Sequence, residues 1–475
     1  MTKKVFPAAF TLVILIFAAI YSLTSIYPHI NFRSSALDLG MFNHALYSFA
    51  HFKNNIFTLS LSGVEVPFLG DHFSPITILY APFYYIFGEY TLLIIQILSI
   101  LAGGIGIYKY SLLKGLNQWV SLLVMIHFFT IFGIYSALSF DFHNNVIAAM
   151  LVPWFLYFFD KGLLKQVLVF YFLIIFSKEN MALWMTFILL ALLLRKEERT
   201  ISISKRTIGL LILSAAIYFI VVVEFVMPAI SKGMGVDQLG RYSHIGDSIS
   251  EIAVKLWRRP DKYFVMLVEN TLGLPEGTGL KGELLFLVLV SGGFAFFRKP
   301  HFLVMLIPIY AQKMLSHDTI MWGFDHQYSI EFVPVISLAV ISLIAAYKET
   351  KWSWIIMLLL IYSSVHFNQR NLRFLKKKHY VTDINVHEVN KLLKVIPDDT
   401  VVSANSRLAP HLAFRDKIYL YPVVKDAGYI ALIKKRENYP LTDEAFEQRL
   451  ASLKTDAKAK IVAESEDIII FRRIP

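Results

Sequence analysis

Five short clusters of ionisable residues interrupt a chain that is otherwise largely apolar: Asp38, Asp71-His72, Asp141-Phe142-His143, Lys178-Glu179-Asn180 and Asp325-His326-Gln327. Each lies at the end of an apolar segment, and taken in order these ends fall on one side of a membrane. Ionisable groups at that depth are expensive, so they line protein interiors or water-filled cavities and mark function. Their types limit the chemistry. A partly desolvated carboxylate such as Asp38 suits a general base that deprotonates an acceptor hydroxyl, or more plainly a first-turn acid favoured by the helix dipole. An extended Asp-x-His step turns both side chains to one side. Asp141 and His143 could therefore hold a divalent cation, Mg2+ or Mn2+, or simply hydrogen-bond to each other. Asp71 and His72 could cap the helix whose first turn holds Pro75, or bind a cation or phosphate. Lys178 offers a point charge to a phosphate, unless Glu179 merely neutralises it. Arg241 would meet lipid headgroups or a lipid-linked phosphate, and His326 and Gln327 complete the substrate-binding candidates at the last outer turn.

The elements that must carry these groups follow from composition. The 475 residues are 56% hydrophobic and 17% charged, with a mean hydropathy of +0.55, whereas a soluble chain is about 25% charged. Apolar runs at 6–27, 89–109, 117–137, 144–160, 164–177, 181–195, 207–228, 283–297, 302–315, 330–347 and 352–366 predict about eleven transmembrane helices across residues 1–366. The first reads as a retained signal-anchor, because its apolar run is too long for a cleaved leader. Residues 74–87 carry Pro75 and Pro82 and read as a re-entrant or interfacial piece. A helix over Ala36–His51 is expected at the interface, with His44, Tyr47 and His51 on one face. Lys3, Lys4, Lys109, Lys114, Lys161, Lys165, Arg195, Lys196, Arg199, Lys205, Arg206, Arg298, Lys299, Lys348 and Lys351 fall in short loops on one side, which makes that side and the N-terminus cytoplasmic. Loops 28–88 and 229–282 then face outward. The basic stretch Arg370 to Lys378 argues the other way and is outweighed.

Residues 367–475 change character. Apolar β-type runs at 400–404, 417–421 and 468–471 alternate with helical patterns at 384–395 and 441–453, predicting a small extracytoplasmic α/β domain. The fold class is thus an all-α polytopic membrane domain with a small C-terminal α/β domain. The chain has no cysteine, which excludes disulfide, zinc-thiolate and redox chemistry. Motifs for nucleotide binding, HExxH metalloproteolysis and GxSxG hydrolysis are absent. The net charge of +11 is accounted for by inner-loop lysines facing anionic lipids, with no call for nucleic acid.

The clusters, taken together as Leu37-Asp38-Leu39-Gly40-Met41-Phe42, Gly70-Asp71-His72-Phe73-Ser74-Pro75, Phe140-Asp141-Phe142-His143, Ser177-Lys178-Glu179-Asn180 and Asp325-His326-Gln327-Tyr328, resemble the DUF2079 family of polytopic membrane proteins. Ala409-Pro410-His411-Leu412-Ala413-Phe414-Arg415 is similar to that family's C-terminal pattern, where a structural role suits His411. The family in turn resembles a distant branch of the GT-C glycosyltransferases. That resemblance implies transfer of a sugar from a polyprenyl-phosphate carrier at the outer face, with Asp38 as catalytic base. GT-C enzymes often pair acids in this loop, whereas Leu37 and Leu39 flank a lone Asp38 here, so the second acid would have to come from Asp71 or Asp141. Two other functions compete: a transporter or flippase using the acids as proton relays, and a scaffold displaying the C-terminal domain.

Overall fold

The computed structural model describes residues 2–195, 203–232, 239–347, 350–435 and 438–474. Two compact units interleave along the chain. One comprises Met1–Tyr21, Gln96–Val226 and Val236–Arg373, and the other Ser22–Ile95, Met227–Gly235 and Phe374–Pro475.

The first unit is helical. Among the described residues of the whole chain, four helical stretches are long and apolar enough to cross a membrane: Val5–Ile30, Pro75–Leu113, Lys205–Ser231 and Gln327–Tyr347. Gln118–Thr130 and Phe132–Leu138, bent by 47° at Ile131, make a fifth if counted as one span. This corrects the expectation of about eleven spans, since a crossing needs ~20 helical residues and most apolar runs break sooner. Leu164–Ile175, Met181–Leu193 and Lys351–Phe367 are shorter apolar helices. The run at 283–297 divides into the helix Leu280–Val290 and a 3-10 turn at Gly293–Phe297. Residues 75–87 form a 3-10 turn, Pro75–Tyr80, and the short helix Ala81–Phe87, and the helical path breaks at Gly88, with φ of 53° and ψ of −130°, ahead of the helix Thr91–Leu113. Lys196, Arg199 and Lys348 lie outside the described residues.

Apolar helices gain little from burying apolar surface against one another in lipid, so close packing and isolated polar contacts hold them. Gly104 lets the Phe129 ring approach, since a Cβ there would sit 2.2 Å from it. Trp184 donates Nε1–H to Met305 O at 2.9 Å, His127 Nε2 lies 3.0 Å from Ser291 O, and Asn371 donates to Ser136 Oγ at 2.8 Å.

The second unit contains all the described β-structure. A two-stranded ladder pairs β1 (Ile56–Phe57) with β2 (Val66–Pro67). A five-stranded mixed sheet has the order β4-β3-β5-β7-β6, built from β3 (Val402–Ala404), β4 (Ile418–Leu420), β5 (Tyr429–Ile433), β6 (Ala459–Glu464) and β7 (Ile468–Arg473). β3 runs parallel to β4 and β5, while β7 is antiparallel to β5 and β6. Both faces are covered, which is why the central strands read as continuous apolar runs. Ile430 and Leu432 with Ile469 and Phe471 pack under Phe446 and Leu450 of the helix Asp443–Thr455. On the other face, Ala431, Ile433, Ile468 and Ile470 meet Val389 of the helix Val386–Leu393. Phe32, Ala36 and Leu59 of the first loop join that same cluster, so residues far apart in sequence complete one core.

Candidate functional site

Asp38 lies in the π-helical turn Ala36–Gly40, which precedes the helix Met41–Ala50. The expected single helix over Ala36–His51 therefore begins with a wider turn, a feature that often accompanies functional sites. Ser35 caps the turn by accepting from Leu37 N. Asp38 is partly buried, and the backbone around it is fixed from the C-terminal part of the same unit. Ala36 N donates to Ser406 Oγ at 3.1 Å. Arg407 donates Nε–H to Phe32 O at 2.9 Å and forms a two-pronged contact with Asp383, each arm 2.8 Å. Asn43 donates to Pro410 O at 3.2 Å. Further along the helix, His44 Nε2 is 3.2 Å from Asp416 O and the Tyr47 hydroxyl donates to Asp416 Oδ1 at 3.4 Å. Lys53 also pairs with Asp416, and Ile418 N donates to Thr58 Oγ1 at 3.1 Å. Of the expected face, His44 and Tyr47 are thus turned onto the sheet domain, while His51 is exposed.

Asp71 closes the four-residue helix Phe68–Asp71 and is buried, with His72 Nδ1 3.0 Å from its Oδ2. Gly70 allows this turn to lie against the backbone of Ser231, whose N would be 2.9 Å from a Cβ.

The remaining predicted residues belong to the helical unit. Asp141 adopts a left-handed conformation with φ of 54°, and the fully buried Gln96 amide grips the turn around it. Gln96 Nε2 donates to Asp141 O at 2.8 Å and its Oε1 accepts from His143 N at 3.0 Å. Phe140 stacks on His143 with centroids 5.4 Å apart and meets the His326 ring edge-on at 4.2 Å. Asn145 reaches Gln327 O at 3.4 Å and Glu331 Oε1 at 2.9 Å. Asp141, His143, His326 and Gln327 are therefore drawn to one place. Lys178 Nζ stands 3.9 Å from Glu179 Oε1, both partly buried. Arg241 Nε is 3.7 Å from Asp318 Oδ2.

Among the described residues, one group of three has its potential ligand atoms within 4.8 Å of one another, and it is His29, Glu89 and His411. Asp141 and His143 are not part of such a group among the described residues. Sequence reading passed over His29 and Glu89, because each stands alone at the edge of an apolar run, without a neighbouring acid or imidazole. It also passed over Asp160, which is buried between Lys114 at 2.6 Å and Arg195 at 2.8 Å. Lys281 and Lys313 were likewise missed, being buried among aromatic and apolar neighbours.

The family model described as "Predicted membrane protein (DUF2079)" matches residues 28–459, and the chain belongs to that family. No curated protein matches it by sequence. Among solved structures, that of ArnT from Cupriavidus metallidurans bound to undecaprenyl phosphate is similar with a TM-score of 0.54 and 10% identity, over 98% of each chain. The Archaeoglobus fulgidus oligosaccharyltransferase tethered with an acceptor peptide is similar at 12% identity and a TM-score of 0.45. The mycobacterial arabinofuranosyltransferase AftD is similar at 9% identity and 0.48. The chain spans 64% of the former and 41% of the latter. At these identities the likeness to ArnT is one of fold.

Proposed function

We propose that this DUF2079 member is an integral membrane glycosyltransferase of GT-C type, moving a sugar from a polyprenyl-phosphate carrier to an acceptor at the outer face. The observation that carries the reading is the likeness of fold to ArnT along 98% of both chains, in a structure that holds undecaprenyl phosphate. The placement of Asp38 supports it independently: a partly buried carboxylate on a π-turn whose backbone is clamped by Ser406 and Arg407.

In the proposed reaction the Asp38 carboxylate accepts the proton of an acceptor hydroxyl as that oxygen attacks the anomeric carbon. The carbon–oxygen bond to the carrier breaks with inversion, and the polyprenyl phosphate leaves as an anion. A positioned carboxylate base of this kind contributes about 10²–10⁴-fold to rate. Asp71 and His72 shape the acceptor side, and Lys178 and Arg241 are assigned to the phosphate, where cations stabilise the charge that develops on departure. Glu179, His326 and Gln327 contact the substrate. The N-terminus is cytoplasmic and residues 367–475 form an extracytoplasmic domain in this scheme. Proton-relay transport by the acids is less well supported, since no observation of comparable weight favours it.

Native mass spectrometry of gently extracted wild type beside Asp38→Asn tests the reading. The expected result is a copurifying polyprenyl phosphate, present as the glycosylated carrier in the variant, with transfer reduced about 10²–10⁴-fold. Well-folded samples that hold no carrier in either form would overturn it.

A further inference from the structure

Glycosyl transfer makes no use of three side chains that converge within the second unit. His29 ends the helix Thr2–Ile30 and is fully buried. Its Nδ1 lies 3.0 Å from Ser34 Oγ and its Nε2 lies 3.8 Å from Glu89 Oε2. The same Glu89 oxygen is 2.9 Å from His411 Nδ1. The two imidazoles stack with centroids 4.1 Å apart and planes within 4°. When His29 donates Nδ1–H to Ser34, its Nε2 presents a bare lone pair to a carboxylate. The opposite tautomer aims an N–H at that carboxylate across a gap too long for a hydrogen bond. In either case His29 Nε2 has no hydrogen-bond partner among the described residues. Native structures leave few buried polar atoms in that condition, and a cation placed among acceptors removes the conflict.

We propose that His29, Glu89 and His411 bind a divalent transition-metal ion of the zinc class. Ligands ~2.0–2.2 Å from a tetrahedral ion stand ~3.3–3.5 Å from one another. The donor atoms here span that spacing, from 2.9 Å between Glu89 and His411 to an upper bound of 4.8 Å. Two imidazoles and one carboxylate favour zinc and its imidazole-binding neighbours over Mg2+ or Ca2+. Ser34 is the outer partner that fixes the His29 tautomer, a usual accompaniment of a metal-bound imidazole. Imidazole lone pairs lie in the ring plane, so stacked rings cannot both point at one ion. His411, on the four-residue helix Ala409–Leu412, is the ring that rotates as the ion enters. A cavity of about 470 Å³ lined by Glu89, His411, Asn390, Lys394 and Arg415 supplies the path. The bound ion pins the end of the first helix and the turn at Glu89 to the C-terminal domain, and the inference does not rest on the transferase reading.

Full-length protein in detergent, stripped with EDTA and desalted, is titrated with Co2+ and, separately, with Zn2+. The expected result is one retained equivalent by elemental mass spectrometry, a visible Co2+ absorption of tetrahedral type, and its displacement by Zn2+. Glu89→Gln should weaken retention at least ~10-fold. His411→Cys should keep the ion and add a thiolate-to-cobalt band in the near ultraviolet, readable because the chain has no native cysteine. Wild type that is folded yet retains neither ion overturns the proposal, leaving a shared proton at the cluster. So does a folded His411→Cys protein that binds Co2+ without the new band.

Discussion

Asp38 owes its position to neighbours that have little to do with its own chemistry. A π-turn carries one more residue per turn than an α-helix, and such turns re-aim side chains at functional positions. This one persists because Ser35, Ser406 and Arg407 satisfy the surrounding backbone. Asp71 depends in the same way on Gly70, which lies against Ser231. A methyl group at position 70 would come within 2.9 Å of Ser231 N and Cβ, and forcing a methylene into a packed site costs about 1–3 kcal/mol. Gly70→Ala is therefore expected to lower the thermal midpoint of the purified protein and to displace Asp71. An unchanged midpoint would show that the Ser231 segment yields freely.

At the scale of elements, the helix Met41–Ala50 ties the first loop to the sheet domain through Asn43, His44 and Tyr47. Its helical period puts His44, Tyr47 and His51 on one face, but that period cannot say whether the face meets lipid or protein. Tertiary structure supplies the answer in Asp416, which receives His44, Tyr47 and Lys53. Burial holds the His44 imidazole below its ordinary pKa, against a smaller opposing pull from the Asp416 carbonyl. The folded protein therefore binds a proton less readily at His44 than the unfolded chain does. Stability from His44 is complete above the unfolded value near ~6.5 and is lost as pH falls from there through the depressed folded value. Unfolding midpoints measured between neutral pH and the acid range should decline, and His44→Gln should flatten that part of the slope. A slope identical to wild type would place the titrating group elsewhere. The motif Ala409–Arg415 finds its explanation at this scale too. Arg415 is spent on the carbonyls of Leu412, Pro397 and Thr400, and Pro410 O is the acceptor for Asn43.

For the whole molecule, the proposed orientation rests on basic residues counted along short loops. Two of those residues, Lys114 and Arg195, are paired with the buried Asp160, yet the rule concerns Lys and Arg in the loops rather than net charge. Because the chain is free of cysteine, single substitutions at the exposed positions Asn54, Lys161 and His387 report topology directly. Asn54→Cys and His387→Cys are expected to react with an impermeant maleimide added to intact cells, and Lys161→Cys only after lysis. Labelling of Lys161→Cys alone in intact cells would invert the orientation.

Membrane class, the predominance of helix and the presence of a small C-terminal sheet were determined by the sequence itself. Apolar content and hydrophobic period act locally, and so they can be read locally. Three of the five sheet strands were visible for that reason, whereas β5 and β6 were not separated from their surroundings. The span count was not readable, because where a helix breaks depends on packing: the bend at Ile131 and the 3-10 turn at Gly293–Phe297 leave the apolar run unbroken. The acidic and imidazole clusters announced themselves by being polar at the ends of apolar runs. His29, Glu89 and His411 are separated by 60 and 322 positions in the chain. Only folding brings them within reach of one ion, since a site assembled from single residues on three elements leaves no pattern in any one of them.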